Sequence, residues 1–363
     1  MDNLGLYIHA PFCSYKCPYC DFYSIRPDES TVKDYTDSVI NEIKKYALQT
    51  NKKVDTLYFG GGTPTLMERE IIRITDAVVK YFKTDLKEVT IEANPKAQLY
   101  DLLKDYAENG INRISFGGQS ANKNELKALA RNHSREDIVR SVEDSVRAGI
   151  DNISLDMMIG IPTQTKESLN ETISFYSQLP IQHISGYMLK IESGTPFAKI
   201  ESKLDLPNDD AVSELYLQMV SELESYGFLQ YEISNFAKAG FEAIHNTKYW
   251  TLDEYIGIGA SAHSFFDGKR FYYPLSAKDF IENPTTVFDD EGGSDFEKVM
   301  LGLRLLKGFD ISNLSEKSVE LLKENCKKVP SGYIEFNENK IILTKQGLLV
   351  SNAVISTLTE GIE

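Results

Sequence analysis

Basic residues are few in this sequence relative to acidic ones. The 363-residue chain has 39 Lys and Arg against 54 Asp and Glu, which gives a formal net charge of −15 at pH 7. Phosphate backbones and anionic membrane surfaces attract proteins through clustered positive charge. We therefore expect neither a nucleic acid nor a membrane surface as a partner.

Long apolar runs are also missing. No segment reaches the roughly 18 consecutive apolar residues that indicate a membrane-spanning helix. The opening residues Met1-Asp2-Asn3-Leu4 lack the basic stretch of a secretory leader. We expect a cytoplasmic protein without stable membrane insertion.

Cysteine is scarce, and three of the four cysteines fall in one short segment, at Cys13, Cys17 and Cys20. In a reducing compartment, clustered cysteines indicate a metal site and not disulfide bonds. Cys326 lies far away in a helix-like segment, where we expect a core or surface thiol.

Strand-like and helix-like segments alternate over the first half of the chain. The predicted strands contain Leu6–Ile8, Thr56–Phe59, Val89–Ile91, Arg113–Phe116, Ile153–Asp156 and His183–Tyr187. Helical periodicity covers Thr31–Leu48, Glu68–Phe82, Tyr100–Asn109, Arg135–Ala148 and Lys166–Gln178. This alternation predicts βα units around a parallel sheet, an α/β fold class. Because about six units fall short of the eight in a closed barrel, we predict a partial barrel with its ligands at the carboxyl ends of the strands.

The alternation weakens after Tyr187, and we divide the chain into residues 1–205, 206–294 and 295–363. The first region is the partial barrel. The second begins with a long helix, Asp209–Tyr226, and continues into a Gly- and aromatic-rich stretch that we expect to pack on the barrel. The third is expected to be a small winged-helix-like α+β domain, with helices Glu297–Leu306, Ser315–Lys327 and Thr344–Leu358 and a hairpin of Gly332–Phe336 and Lys340–Leu343.

The three clustered cysteines have the spacing C-x3-C-x2-C and follow the first strand directly. Three thiolates on a [4Fe–4S] cluster leave one iron open, which can chelate a small ligand with an amino and a carboxylate group, as S-adenosylmethionine (SAM) has. Two alternatives are a zinc site that adds His9 to the three cysteines, and plain buried thiols. Structural zinc normally uses paired C-x2–4-C arms, and only one arm is present here.

The sequence around these cysteines resembles the radical SAM proteins, in the branch that contains oxygen-independent coproporphyrinogen dehydrogenases and haem chaperones. The resemblance covers nearly the whole chain, and its marks are Tyr7–Cys13, Phe59–Thr65, Gly117–Ser120 and Tyr231–Phe236. It implies a radical SAM partial (β/α)6 barrel that holds a [4Fe–4S] cluster on Cys13, Cys17 and Cys20 and binds SAM.

The resemblance also implies a set of SAM-binding residues at the strand ends, where unpartnered polar side chains would be costly to bury. The set is Tyr7, Gly61, Gly62, Thr63, Glu92, Gln119, Arg131 and Asp156. The turn Gly60–Thr63 is expected to hold the amino group of SAM, and Arg131 to pair with its carboxylate. Relatives usually have glycine where Ala130 stands.

A second segment, His245–Trp250, resembles an H-N-x-x-Y-W motif of the haem chaperones. Imidazole is a good axial ligand for haem iron, so we predict that His245 contacts haem, with His263 as a second candidate. The alternative for this segment is a core aromatic cluster around a hydrogen-bonded histidine. For His9 a core role and a contact with the ligand are both open, and His183 is expected to be structural.

Two functions remain in view. One is a haem chaperone that transfers haem to acceptor proteins, whose identity the sequence does not give. The other is an enzyme for the radical oxidative decarboxylation of coproporphyrinogen III. The dehydrogenases have a fourth cysteine where this chain has Phe22, and an extension ahead of the cluster where it has 12 residues before Cys13. Both differences favour the chaperone, and whether SAM is turned over stays open.

Overall fold

The fold is built on a twelve-stranded sheet, as seen in a computed structural model that describes residues 3–363. Met1 and Asp2, two of the opening residues in which a leader pattern was sought, lie outside the described residues. The strands are β1 (Asn3–Ala10), β2 (Lys53–Gly61), β3 (Lys83–Ala93), β4 (Arg113–Gln119), β5 (Asn152–Ile159), β6 (His183–Met188), β7 (Leu229–Gln230), β8 (Asn235–Ala237), β9 (Tyr255–Ile258), β10 (His263–Phe266), β11 (Lys269–Tyr272), β12 (Val287–Glu291), β13 (Phe309–Asp310), β14 (Ile334–Asn337) and β15 (Lys340–Leu343).

Thirteen α-helices are found within the described residues. They are α1 (Glu29–Ala47), α2 (Glu70–Tyr81), α3 (Tyr100–Glu108), α4 (Lys123–Ala128), α5 (Arg135–Ala148), α6 (Lys166–Ser177), α7 (Asp209–Ser225), α8 (Ile244–Thr251), α9 (Ala277–Glu282), α10 (Asp295–Gly302), α11 (Glu316–Cys326), α12 (Lys345–Leu349) and α13 (Ser351–Leu358). No helix of residues 3–363 is long and apolar enough to cross a membrane.

Strands β1 to β6 lie side by side in chain order and pair in parallel, which confirms the predicted partial barrel. β1 and β5 are buried along most of their length because helices cover their outer face. Since the six strands run the same way, their carboxyl ends meet at one edge of the sheet.

The sheet extends beyond the six parallel strands on both sides. β9 pairs in parallel with β1 and continues through the antiparallel strands β10, β11 and β12, while β8 and β7 add to β6. Most of these strands come from the aromatic-rich region for which the sequence predicted no strands. They have two to five residues each, too few for a clear alternation of apolar and polar positions.

The last part of the chain forms a separate three-stranded sheet, β13-β15-β14, with helices α10 to α13. The single helix predicted over Thr344–Leu358 is two helices, because the backbone at Val350 leaves helical geometry with φ −115° and ψ 27°. Buried residues of this part, such as Leu322 and Ile341, belong to the same hydrophobic core as Leu4 and Ile8 of β1.

Candidate functional site

A cavity of about 190 Å³ opens at the carboxyl ends of the parallel strands. It is lined by nearly all of the predicted cluster and SAM residues, namely Cys13, Cys17, Cys20, Gly61, Gly62, Thr63, Glu92, Gln119, Arg131 and Asp156. Tyr7 does not line the cavity, but its ring stacks on Tyr58, whose hydroxyl donates a 2.8 Å hydrogen bond to Glu92. The structure therefore brings together cavity-lining residues that lie up to 143 positions apart in the chain, from Cys13 to Asp156.

Backbone hydrogen bonds join the two ends of the loop that carries the cysteines. The Ile25 N–H donates to the Pro11 carbonyl at 2.7 Å, and the Cys13 N–H donates back to the Ile25 carbonyl at 2.9 Å. All three cysteines are half-buried free thiols. Across the described residues, no three His, Cys, Asp or Glu side chains converge closely enough to hold a single metal ion. A four-iron cluster makes a different demand, because each thiolate binds a different iron.

The glycine turn after β2 is pressed against this loop. The N–H groups of Gly62 and Thr63 donate to the carbonyls of Ala10 and Phe12 at 2.9 and 2.7 Å. A Cβ at Gly62 would lie 2.6 Å from the Phe12 carbonyl oxygen, a backbone atom that cannot move aside. Gly61 has φ +108°, a conformation that favours glycine. Glycine is therefore required here for the close approach of two backbone segments.

Two buried carboxyl groups face the cavity. Glu92 accepts hydrogen bonds from the Tyr58 hydroxyl and from the Gly61 N–H, at 2.8 and 3.1 Å. Asp156 accepts one from Ser115 at 3.2 Å. Burial, which penalises the charged form, raises the pKa of Glu92 to about 7 and that of Asp156 to about 6. Both groups therefore change charge near neutral pH.

Arg131 reaches the cavity from the loop between α4 and α5. Its Nη2 donates to Asn94 Oδ1 at 2.6 Å and to the Gly117 carbonyl at 2.7 Å, and its Nη1 lies 3.4 Å from the Cys17 sulfur. Asn94 is a site residue to which the sequence reasoning gave no role, although it follows β3 directly and stands two positions after Glu92.

His245, the predicted haem ligand, lies in a buried cluster of aromatic and polar side chains. Its side chain is fully buried, and both ring nitrogens are engaged, Nδ1 with the Thr56 hydroxyl and Nε2 with the Tyr249 hydroxyl, each at 2.9 Å. The ring also stacks on Tyr58 with centroids 5.2 Å apart. Burial lowers the pKa of His245 to about 3, so the imidazole is neutral. These contacts favour the alternative for this segment, a core aromatic cluster around a hydrogen-bonded histidine, and the haem contact of His245 stays a prediction.

The other three histidines considered from the sequence differ in exposure. His183 is fully buried between Ser154 and Tyr231, as expected for a structural residue. His9 is buried and its Nδ1 pairs with the Tyr7 hydroxyl at 3.0 Å. His263 is exposed at the start of β10, and its ring stacks on Tyr272 with centroids 5.1 Å apart.

Comparison with known proteins indicates the family of the chain. Residues 7–176, which hold the cysteine loop and all the cavity-lining residues, match the family model described as the Radical SAM superfamily. The structure of coproporphyrinogen III oxidase (HemN) from Escherichia coli, described as a radical SAM enzyme, superposes with a TM-score of 0.84 and covers 98% of this chain and 90% of its own. At 22% identity this likeness shows the fold alone. Fold and motif together define a radical SAM protein.

Full-length relatives narrow the class further. A relative named heme chaperone HemW from Bacillus subtilis is 36% identical over 96% of this chain and 97% of its own length. The protein of the same name from Lactococcus lactis is 31% identical over 96% and 95%, and the one from Escherichia coli is 36% identical over 74% and 72%. The chain belongs to the HemW family of radical SAM proteins.

Proposed function

We propose that this protein is a cytoplasmic haem chaperone that holds a [4Fe–4S] cluster and SAM in the described cavity and passes haem to acceptor proteins. The chaperone part rests on one observation, the similarity to proteins named heme chaperone HemW over nearly the full length of both chains. The cofactor part is supported by the cavity itself.

The residues of the cavity fit the two cofactors. Three free thiols with the spacing C-x3-C-x2-C supply soft ligands for iron. The open iron of a bound cluster would supply a chelation point and one-electron chemistry. Around it, Glu92, Gln119 and Asp156 offer hydrogen-bond acceptors for hydroxyl and amino groups, and Arg131 offers a guanidinium for a carboxylate.

As it is placed in this structure, His245 offers haem iron no free ring nitrogen. An axial imidazole must present a free nitrogen to iron, and both nitrogens of His245 are used inside the barrel. His263 is exposed, and its ring makes no side-chain hydrogen bond within residues 3–363. The neighbouring Tyr272 ring adds an aromatic surface against which a macrocycle can pack. We therefore assign the haem contact to His263.

The second candidate function is the oxidative decarboxylation of coproporphyrinogen III, and the fold likeness to HemN is the observation in its favour. Against it stands Phe22, at the position of the dehydrogenases' fourth cysteine. This side chain lines the cavity and is 60% exposed, so it gives the cavity mouth an apolar edge in place of a thiol. The chaperone remains the better-supported function.

Haem titration of anaerobically reconstituted protein tests the assignment, with the Soret band as the readout. We expect about one haem per chain in the wild type and at least tenfold weaker binding in His263→Ala. His245→Ala is expected to lower the melting temperature, because Thr56 and Tyr249 lose a buried partner, and to bind haem normally in the fraction that folds. Normal haem affinity in His263→Ala together with lost affinity in folded His245→Ala would return the site to His245.

A further inference from the structure

Three polar side chains form a continuous bridge between two of the cluster cysteines. The bridge consists of Thr63, Asn94 and Arg131. Thr63 Oγ1 lies 3.8 Å from the Cys13 sulfur, and Asn94 Nδ2 donates to the same Oγ1 at 2.9 Å. On the other side, Arg131 Nη2 donates to Asn94 Oδ1 at 2.6 Å, and Arg131 Nη1 lies 3.4 Å from the Cys17 sulfur. Asn94 is the central member and touches neither thiol.

The directions of these hydrogen bonds follow from the chemistry of the three side chains. Arg131 can only donate, so the atom of Asn94 that faces it must be the carbonyl oxygen. The NH2 group of Asn94 must then face Thr63 and donate to it. Since a lone pair of the Thr63 oxygen is taken by this bond, its own hydrogen is free to point at the Cys13 sulfur. The amide of Asn94 can do both at once, because its NH2 group donates and its carbonyl oxygen accepts.

Arg131 is held in place by the same arrangement. Its Nη2 has two acceptors, Asn94 Oδ1 and the Gly117 carbonyl, so the guanidinium plane is fixed. That orientation directs Nη1 to the Cys17 sulfur. Both ends of the bridge therefore place a donor beside a cysteine sulfur, one neutral and one positively charged.

We propose that Asn94 is a positioning residue that sets the reduction potential of the cluster by orienting these two donors. The inference rests on the proposed cluster on Cys13, Cys17 and Cys20. Reduction adds one electron to the cluster, and donors beside the thiolate sulfurs stabilise that added negative charge, which raises the potential. Asn94 acts through Thr63 and Arg131, and it contacts no cluster ligand itself.

The test is the midpoint potential of the reconstituted cluster, measured anaerobically with redox mediators. Asn94→Leu keeps the approximate size and removes both hydrogen bonds, and we expect a tenfold shift of the one-electron equilibrium toward the oxidised cluster, which is about 59 mV. Thr63→Val is expected to lower the potential too. The double variant should fall short of the sum of the two, because both changes act partly through one hydroxyl. Asn132→Leu, in the loop beside Arg131, is the matched control and should leave the potential unchanged.

A second variant covers a loss of folding in the first. If Asn94→Leu does not load iron, Asn94→Ala gives the same reading, because it also removes both hydrogen bonds and adds no charge beside the cluster. The inference fails if the Asn94 variant that loads iron keeps the wild-type potential, or if its effect adds fully to that of Thr63→Val. A wild-type protein that assembles no [4Fe–4S] cluster would instead overturn the proposed function, so the two failures are distinguishable.

Discussion

Ala130 has φ +52°, in the left-handed region that residues with a Cβ adopt at a cost of about 1–2 kcal/mol. Its neighbour Arg131 reaches the cavity because the chain turns at this point, just after α4. The backbone conformation gives a physical reason for the glycine that relatives usually have here.

Ala130→Gly should therefore stabilise the protein. The relief of strain exceeds the entropy that glycine adds to the unfolded chain, and we expect a gain of about 0.5–1 kcal/mol in the free energy of unfolding. Urea denaturation at constant slope measures it. Gly149, which already has φ +94°, gives the converse control, since Gly149→Ala should destabilise. A loss of stability in Ala130→Gly would contradict the strain argument.

The two cavity carboxyls predict a pH dependence of SAM binding. The pKa of Glu92 is raised to about 7 and that of Asp156 to about 6, mainly by burial. Because both folded-state values lie above the usual ones, the stability that these groups contribute is present at low pH and is lost as the pH rises through 6 to 7. SAM carries a positive charge on its sulfonium group, so it binds best when the carboxyls are ionised.

We thus expect SAM to raise the melting temperature of the reconstituted protein more at about pH 8 than at about pH 5.5. Glu92→Gln and Asp156→Asn should each flatten this difference, since the amide carries no charge at either pH. An equal SAM effect at both pH values in the wild type would exclude the two carboxyls from the binding equilibrium.

At the residue scale, the residues that line the cavity were easier to name from the sequence than a residue that binds haem. The cysteines and the glycine turn are local patterns, and their residue types and spacing can be read directly from the sequence. His245 depends on a different kind of information, because its partner Thr56 is 189 positions away and the bond between them appears only when α8 lies under the barrel. A buried and an exposed histidine look the same in a single sequence.

Among the elements, the eight-residue helix α8 is held in place by buried polar contacts. The Glu88 carboxylate accepts the N–H groups of Ile244 and His245 at the helix start, at 2.8 and 3.0 Å. Lys248 then pairs with Asp55 of β2 at 2.9 Å, with side chains only 6% and 5% exposed. These contacts fix the helix against the parallel sheet, on the side away from the cavity.

Removal of one partner of this buried ion pair should be costly. Lys248→Ala leaves the Asp55 carboxylate buried without its cation, and we expect a loss of about 3–5 kcal/mol in the free energy of unfolding. The double variant Lys248→Met with Asp55→Leu should recover most of it. As a control, Lys33→Ala breaks an exposed pair with Asp37 and should cost less than about 1 kcal/mol. A small effect of Lys248→Ala in the same denaturation experiment would show that α8 is held by its other contacts.

At the element scale, the strands that could be predicted from the sequence are those that belong to the repeated βα units. β1 to β6 could be predicted because each is followed by a helix and the βα unit repeats along the chain. β7 to β12 are short, lie among aromatic and glycine residues, and pair by meanders that no local pattern specifies. The break between α12 and α13 falls at Val350, where no glycine or proline marks it in the sequence.

Across the whole molecule, one hydrophobic core connects the barrel with the C-terminal strands and helices. The cavity lies at one edge of the parallel sheet and α8 at the other. Trp250 of α8 lies under the Arg304 guanidinium, 5.5 Å from the ring centroid, so α8 also links the barrel to the C-terminal part. Substitutions in the segment His245–Trp250 are therefore expected to lower the stability of the fold more than they weaken the binding of a ligand.

We propose that the radical SAM barrel of this protein serves to carry haem and does not modify a porphyrin precursor. The most direct measurement offers coproporphyrinogen III to the anaerobically reconstituted protein with SAM and a reductant, and follows the products by chromatography. We predict that the substrate is recovered unchanged while the same preparation binds about one haem per chain. Conversion of its propionates to vinyl groups would show that the protein is an oxidative decarboxylase and would contradict the proposed chaperone function.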